Sequence, residues 1–99
     1  MKIEDWRTEI DELDRELLRL LNRRAHMATE VGLLKRTAGI AIADPQRERD
    51  VIARVCCANP GPLDSQAVGR LFRHIIRESK RVEEIAVGRV AELQSERVI

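Results

Sequence analysis

One apolar series constrains most of what this chain can fold into. Ile3, Trp6, Ile10, Leu13, Leu17 and Leu20 follow one another at alternating steps of three and four, and the series resumes at Met27, Val31 and Leu34. This is the heptad-like seam of one long helix. No proline breaks it, and its one glycine, Gly32, costs only about 1 kcal/mol against alanine, which a long packed helix absorbs. About 33 residues at 1.5 Å each make a rod of roughly 50 Å. A compact domain of about 100 residues has a radius of gyration near 13 Å. The rod therefore outruns any core its own chain can build, and the seam needs a cover. A second copy is the simplest cover and gives an intertwined homodimer.

A bare two-stranded coiled coil would leave the rest of the chain unexplained, because two further amphipathic stretches follow. Asp44 is a good N-cap and Pro45 suits the first helical position, so a second helix is expected from Asp44 to about Asn59, where "NPGP" stops it. A third is expected to begin at Asp64 or Ser65, with Val68, Leu71, Phe72, Ile75, Ile76, Val82, Ala86, Val90 and Leu93 on its inner face. Strand-like alternation, internal repeats and low-complexity segments are absent. The expected fold is all-α: three helices per chain, one very long, in a single domain over residues 1–99 that pairs as an intertwined helical bundle.

Composition narrows the function. The net charge is +1 and the chain has one Trp, one Phe and no Tyr. Neither the basic field nor the stacking platform of a nucleic-acid binder is present. No apolar run approaches the roughly 20 residues of a membrane span, and the acidic, amphipathic start is unlike a signal peptide. Cys56 and Cys57 are adjacent, so they neither bridge each other nor have metal-ligand spacing. One buried and one partly exposed free thiol are expected, in a reducing cytoplasm.

Polar residues break the apolar faces at informative places. Arg24 stands at the heptad position after Leu20, and Lys35 follows eleven residues later, close to three full turns on, so the two share a face about 16 Å apart. Ala28 and Val31 lie between them as a floor. In the second helix Arg47 and Glu48 precede Val51 and Ile52 by one turn, and in the third Ser79 and Glu83 interrupt the seam. Each has an ordinary explanation alone: Arg24 snorkelling out of a bundle, Lys35 at a solvated helix end, Glu83 in the surface run "ESKRVEE". Together they describe a bundle-core site of cations, carboxylates and a hydroxyl that suits a small polar dianion. No nucleophile with a base partner, metal cluster or glycine-rich phosphate loop accompanies them, and His26 and His74 fall off the seams. Charge without a nucleophile or cofactor points to electrostatic and conformational catalysis, or to plain binding.

The segments "WRTEIDELDRELLRLLNRR", "ATEVGLLKR", "DPQRERDVI" and "LFRHIIRESKRVE" carry a resemblance over about residues 3 to 90. The sequence resembles the all-helical (AroQ-type) chorismate mutases. The resemblance implies an intertwined dimer with two equivalent sites, no cofactor, and rearrangement of chorismate to prephenate. It implies substrate binding by Arg7, Arg24, Lys35, Asp44, Arg47, Glu48, Ser79 and Glu83, with Lys35, Glu83 and Arg24 as the catalytic set. Glu48 corresponds to the acceptor for the ring hydroxyl, Lys35 to a donor at the ether oxygen, and Arg7 to a residue reaching across from the partner chain. Arg7 is about 25 Å along the rod from Arg24, so one straight helix cannot bring both to one site.

One position follows the family pattern with a consequence for the chemistry, and others depart from it. Glu83 stands where Gln or Glu occurs, and only a protonated Glu can donate to the ether oxygen. Burial and the substrate's carboxylates raise its pKa and Lys35 lowers it, so activity is expected to fall as pH rises above the Glu83 pKa in the complex. Lys80 replaces a common apolar residue, where it would either tighten binding or face solvent. The apolar connector "TAGIAIA" is expected as a lid. On the same scaffold, an isochorismate–pyruvate lyase or a mutase for 4-amino-4-deoxychorismate are the alternatives, and a non-catalytic metabolite- or partner-binding dimer is the alternative from another class.

Overall fold

A computed structural model describes residues 1–98, with side chains through residue 96. Three helices follow in order: α1 (Ile3–Ala38), α2 (Pro45–Ala58) and α3 (Ser65–Val98). The predicted all-α class and element order hold.

Helix ends carry the signals of the local sequence. At the start of α1 the Asp5 carboxylate accepts from the Lys2 N–H at 2.7 Å, and Glu4 and Asp5 sit in the first turn, where acidic groups complement the helix dipole. The helix runs beyond the expected end near Lys35 to Ala38. Gly39 ends it at φ 70°, a left-handed conformation that glycine adopts without a Cβ clash, while its N–H and that of Ile40 close on the carbonyls of Arg36 and Lys35. In α2 the Asp44 carboxylate accepts from the Arg47 N–H at 3.0 Å and Pro45 takes the first position. Asp64, rather than Ser65, caps α3, accepting from Ala67 N–H at 2.7 Å.

α3 packs against both α1 and α2 and is the hub of the fold. The chain is long and flat, 65 × 29 × 14 Å, with a radius of gyration of 17.8 Å, well above the ~13 Å of a compact chain this size. Such a shape buries little. Among the described residues, Val51 and Val68 are the buried hydrophobic side chains, whereas Trp6, Ile10, Leu13 and Leu17 of the α1 seam are more than half exposed. The expected inner face of α3 is likewise incompletely covered: Leu71 and Leu93 are 52% and 59% exposed. An apolar stripe this long and this bare is the kind of surface that marks an interaction site.

The free thiols differ slightly from expectation. Cys57 is exposed, but Cys56 is half-buried rather than buried, with its Sγ 3.3 Å from the Ser65 carbonyl oxygen.

Candidate active site

The interrupted faces of all three helices meet at one cavity of about 300 Å³. Seven of the eight residues singled out in the sequence line it: Arg24 and Lys35 from α1, Asp44, Arg47 and Glu48 from the start of α2, and Ser79 and Glu83 from α3. Ala28 and Val31 supply apolar floor, as their position between Arg24 and Lys35 implied. The eighth, Arg7, lies elsewhere on the chain, two-thirds exposed and paired at 2.9 Å with Glu4.

Internal bonds hold the cations in place. An Arg24 guanidinium N–H donates to Ser79 Oγ, and the Ser79 hydroxyl in turn donates to the Ile75 carbonyl at 2.9 Å. Arg24 therefore crosses from α1 to α3, which accounts for its tolerance within an apolar seam. Lys35 is not a solvated helix end. Its Nζ donates to the Ile42 carbonyl at 2.9 Å and stands 3.7 Å from Glu83 Oε2. The first contact ties the connector to α1. The connector is not a full lid, however: Ile42 lines the cavity, but Ile40 is 59% exposed.

Glu83 is the one buried charged residue of the described core, 8% exposed. Its Oε2 has no hydrogen-bond partner, since 3.7 Å to Lys35 is an ion-pair distance and not a hydrogen bond. Burial pushes its pKa above the ordinary 4.5, against the opposing pull of the Lys35 ammonium; Glu84 adds to the rise and Lys80 opposes it. An orphaned buried carboxyl beside a cation is costly unless it is protonated or meets a ligand.

Two features escaped the sequence reading. The first is Gly32. An added Cβ would lie 2.9 Å from Glu83 Cβ and 3.2 Å from its Cα, so glycine is required for α1 and α3 to approach at the level of Glu83. A lone glycine in a helical seam signals such an approach as readily as a tolerated defect. The second is the partner of Lys80: the sequence leaves this cation either tightening binding or facing solvent, and the structure places its Nζ 2.7 Å from Glu48 Oε1 on α2, at the cavity wall. Among the described residues, no group of His, Cys, Asp and Glu could hold a metal ion, and no helix is long and apolar enough to cross a membrane.

The sequence signature of the family "chorismate mutase type II" matches residues 6–84, which includes every candidate residue of the site. The chain belongs to the type II chorismate mutase family. It is 46% identical over 77 residues, 78% of its length, to a bifunctional chorismate mutase/prephenate dehydratase of Neisseria gonorrhoeae, of which those residues make up 21%. The chain thus spans about a fifth of the length of the first curated relatives it matches. A chorismate mutase structure (form II) from Thermus thermophilus superposes with a TM-score of 0.83 at 36% identity, covering 85% of this chain and 96% of that one. The Helicobacter pylori chorismate mutase, solved in complex with prephenate, superposes with a TM-score of 0.80 at 28% identity, covering 87% and 93%. The all-α, three-helix fold and the family expected from the sequence are therefore those found.

Proposed function

We propose that this chain is a chorismate mutase, rearranging chorismate to prephenate in aromatic amino acid biosynthesis. The observation that carries the reading is the convergence of eight charged or polar residues from three helices and their caps on one cavity in a chain of this family. The reaction is an intramolecular [3,3] shift, so the site has only to hold the enolpyruvyl arm over the ring and stabilise charge. Arg24 and Arg47 clamp the two carboxylates, and guanidinium groups suit planar, bidentate binding. Glu48 takes the ring hydroxyl. As the C–O bond breaks, negative charge grows on the ether oxygen, and Lys35, anchored by Ile42, donates to it in a partly desiccated pocket. Glu83 donates from the other side when protonated, and its raised pKa supports that role. Asp44 and Ser79 hold Arg47 and Arg24 respectively, through a backbone cap and a side-chain bond.

The working form is a homodimer of one domain per chain, paired along the α1 seam. The more-than-half exposure of Trp6, Ile10, Leu13 and Leu17 supports this. Arg7 then enters the partner's site, because its own chain's cavity lies far along the rod. No cofactor is needed. The two free cysteines fit the reducing conditions of the cytoplasm.

Substrate identity is tested by incubating the chain with chorismate, isochorismate and 4-amino-4-deoxychorismate and separating the products. Prephenate from chorismate is the expected result. Pyruvate from isochorismate alone would assign the lyase, and no turnover of any would leave a binding dimer.

A further inference from the structure

Lys80 is not demanded by the rearrangement. The carboxylate clamps and the ether-oxygen donors are supplied by Arg24, Arg47, Lys35 and Glu83. Yet the Lys80 side chain crosses from α3 to α2, its Nζ lies 2.7 Å from Glu48 Oε1, and both residues line the cavity. The pair is also wall to a second hollow of about 520 Å³ between α2 and α3, so its two side chains stand between the two spaces. Glu48 therefore does not meet a substrate as a bare carboxylate; it meets it already paired with an ammonium.

A bare carboxylate and a carboxylate–ammonium pair select different ring substituents. A hydroxyl is both donor and acceptor, so it can donate to Glu48 and accept from Lys80 at once. An alkylammonium has three donors and no acceptor. It would bind a bare carboxylate better than a hydroxyl does, through a charge-assisted bond. Beside Lys80 it finds the carboxylate half-neutralised and a like charge next to it. Specificity of this kind comes from a repulsive element added to an attractive one.

Resting on the chorismate reading above, we propose that Lys80 is a specificity-determining residue: paired with Glu48, it selects a substrate bearing a ring hydroxyl and rejects the analogue bearing a ring ammonium. Both side chains are 35% exposed, so solvent screens the repulsion and the discrimination is modest, on the order of tenfold rather than thousandfold.

The test compares wild type, Lys80→Met and Lys80→Arg at a pH where the amine is charged. It measures kcat/KM for chorismate and the inhibition constant of 4-amino-4-deoxychorismate against chorismate turnover. In Lys80→Met, the preference for hydroxyl over ammonium should drop about tenfold or more, mostly through tighter binding of the amino analogue. Lys80→Arg, which keeps the charge, should retain the wild-type preference. A structural role would weaken both ligands together and leave the ratio unchanged, and that result overturns the inference while the mutase reading stands. A wild-type chain that leaves chorismate untouched removes the reading and the inference together.

Discussion

Gly32 of α1 and Glu83 of α3 meet where the two helices approach each other, with only 2.9 Å between an ideal Cβ on the glycine and the Cβ of the glutamate. The approach fixes the depth at which the Glu83 carboxyl enters the cavity and brings it within 3.7 Å of Lys35. A helix-packing detail thus sets the distance between two charged groups of the cavity.

Gly32→Ala should therefore harm the protein, although alanine is the better helix former by about 1 kcal/mol. The new methyl meets the root of the Glu83 side chain and its backbone, not a flexible tip, so α3 must move. A net loss of about 1–3 kcal/mol is expected from overpacking, read as a lower Tm in thermal unfolding. The rate of turnover should fall more than affinity, because the Lys35–Glu83 spacing changes. Equal or greater stability with full activity would contradict the account of this contact.

The raised Glu83 pKa sets the pH behaviour. In the native chain this carboxyl binds its proton more tightly than in the unfolded chain, whose ordinary value is 4.5. Its contribution to stability is therefore full below about 4.5 and is lost as pH rises through the native pKa. Activity that depends on the protonated form has a limb that falls in the same direction, as pH rises through the Glu83 pKa of the substrate complex, which the substrate's carboxylates raise further. Lys35, Lys80 and Glu48 face the same cavity, and Glu83→Gln, which alone removes this titration, should flatten the limb. Identical, flat profiles from pH 5 to 8 for wild type and variant would exclude a proton-donating Glu83.

The bare α1 seam predicts that sedimentation will find two chains of 11.3 kDa together, with a Tm that rises with concentration. Leu13→Glu combined with Leu17→Glu places charges along the seam and should give a monomer with much reduced helical signal. A wild-type monomer with full helicity would show that the seam needs no cover.

Arg7 lends itself to complementation. Arg7→Ala and Arg24→Ala homodimers should each be severely impaired. If Arg7 serves the partner's site, a heterodimer of the two variants contains one intact site. A random mixture would then regain about a quarter of wild-type activity, since half the dimers are mixed and each has one working site of two. No recovery on mixing would put Arg7 in its own chain's site or outside the chemistry.

What the sequence made legible and what it hid differ in kind. Helix order, caps and the polar breaks in each apolar face follow from local rules: heptad spacing, Asp44 before Pro45, and Arg24, Lys35, Arg47, Glu48, Ser79 and Glu83 at helical intervals. These depend on residues within a few turns of one another. The meeting of those breaks in one site, and the place of Asp44 in it, follow from their conjunction with the family resemblance. Gly32, the Lys80–Glu48 pair and the Lys35–Ile42 bond each depend on how far apart two separate elements stand. No pattern within one helix encodes that distance. The exposed Leu71 and Leu93 make the same point from the other side: periodicity identifies an apolar face, but not whether its own chain covers it.

The central claim is that placed charge, not a nucleophile or a cofactor, performs the chemistry. It is tested most directly by the rate of chorismate conversion to prephenate, followed by absorbance, for wild type and Lys35→Ala. Prephenate from wild type, with kcat reduced about a hundredfold or more in the variant, is the predicted result. A Lys35→Ala chain that turns over chorismate at the wild-type rate would contradict the account.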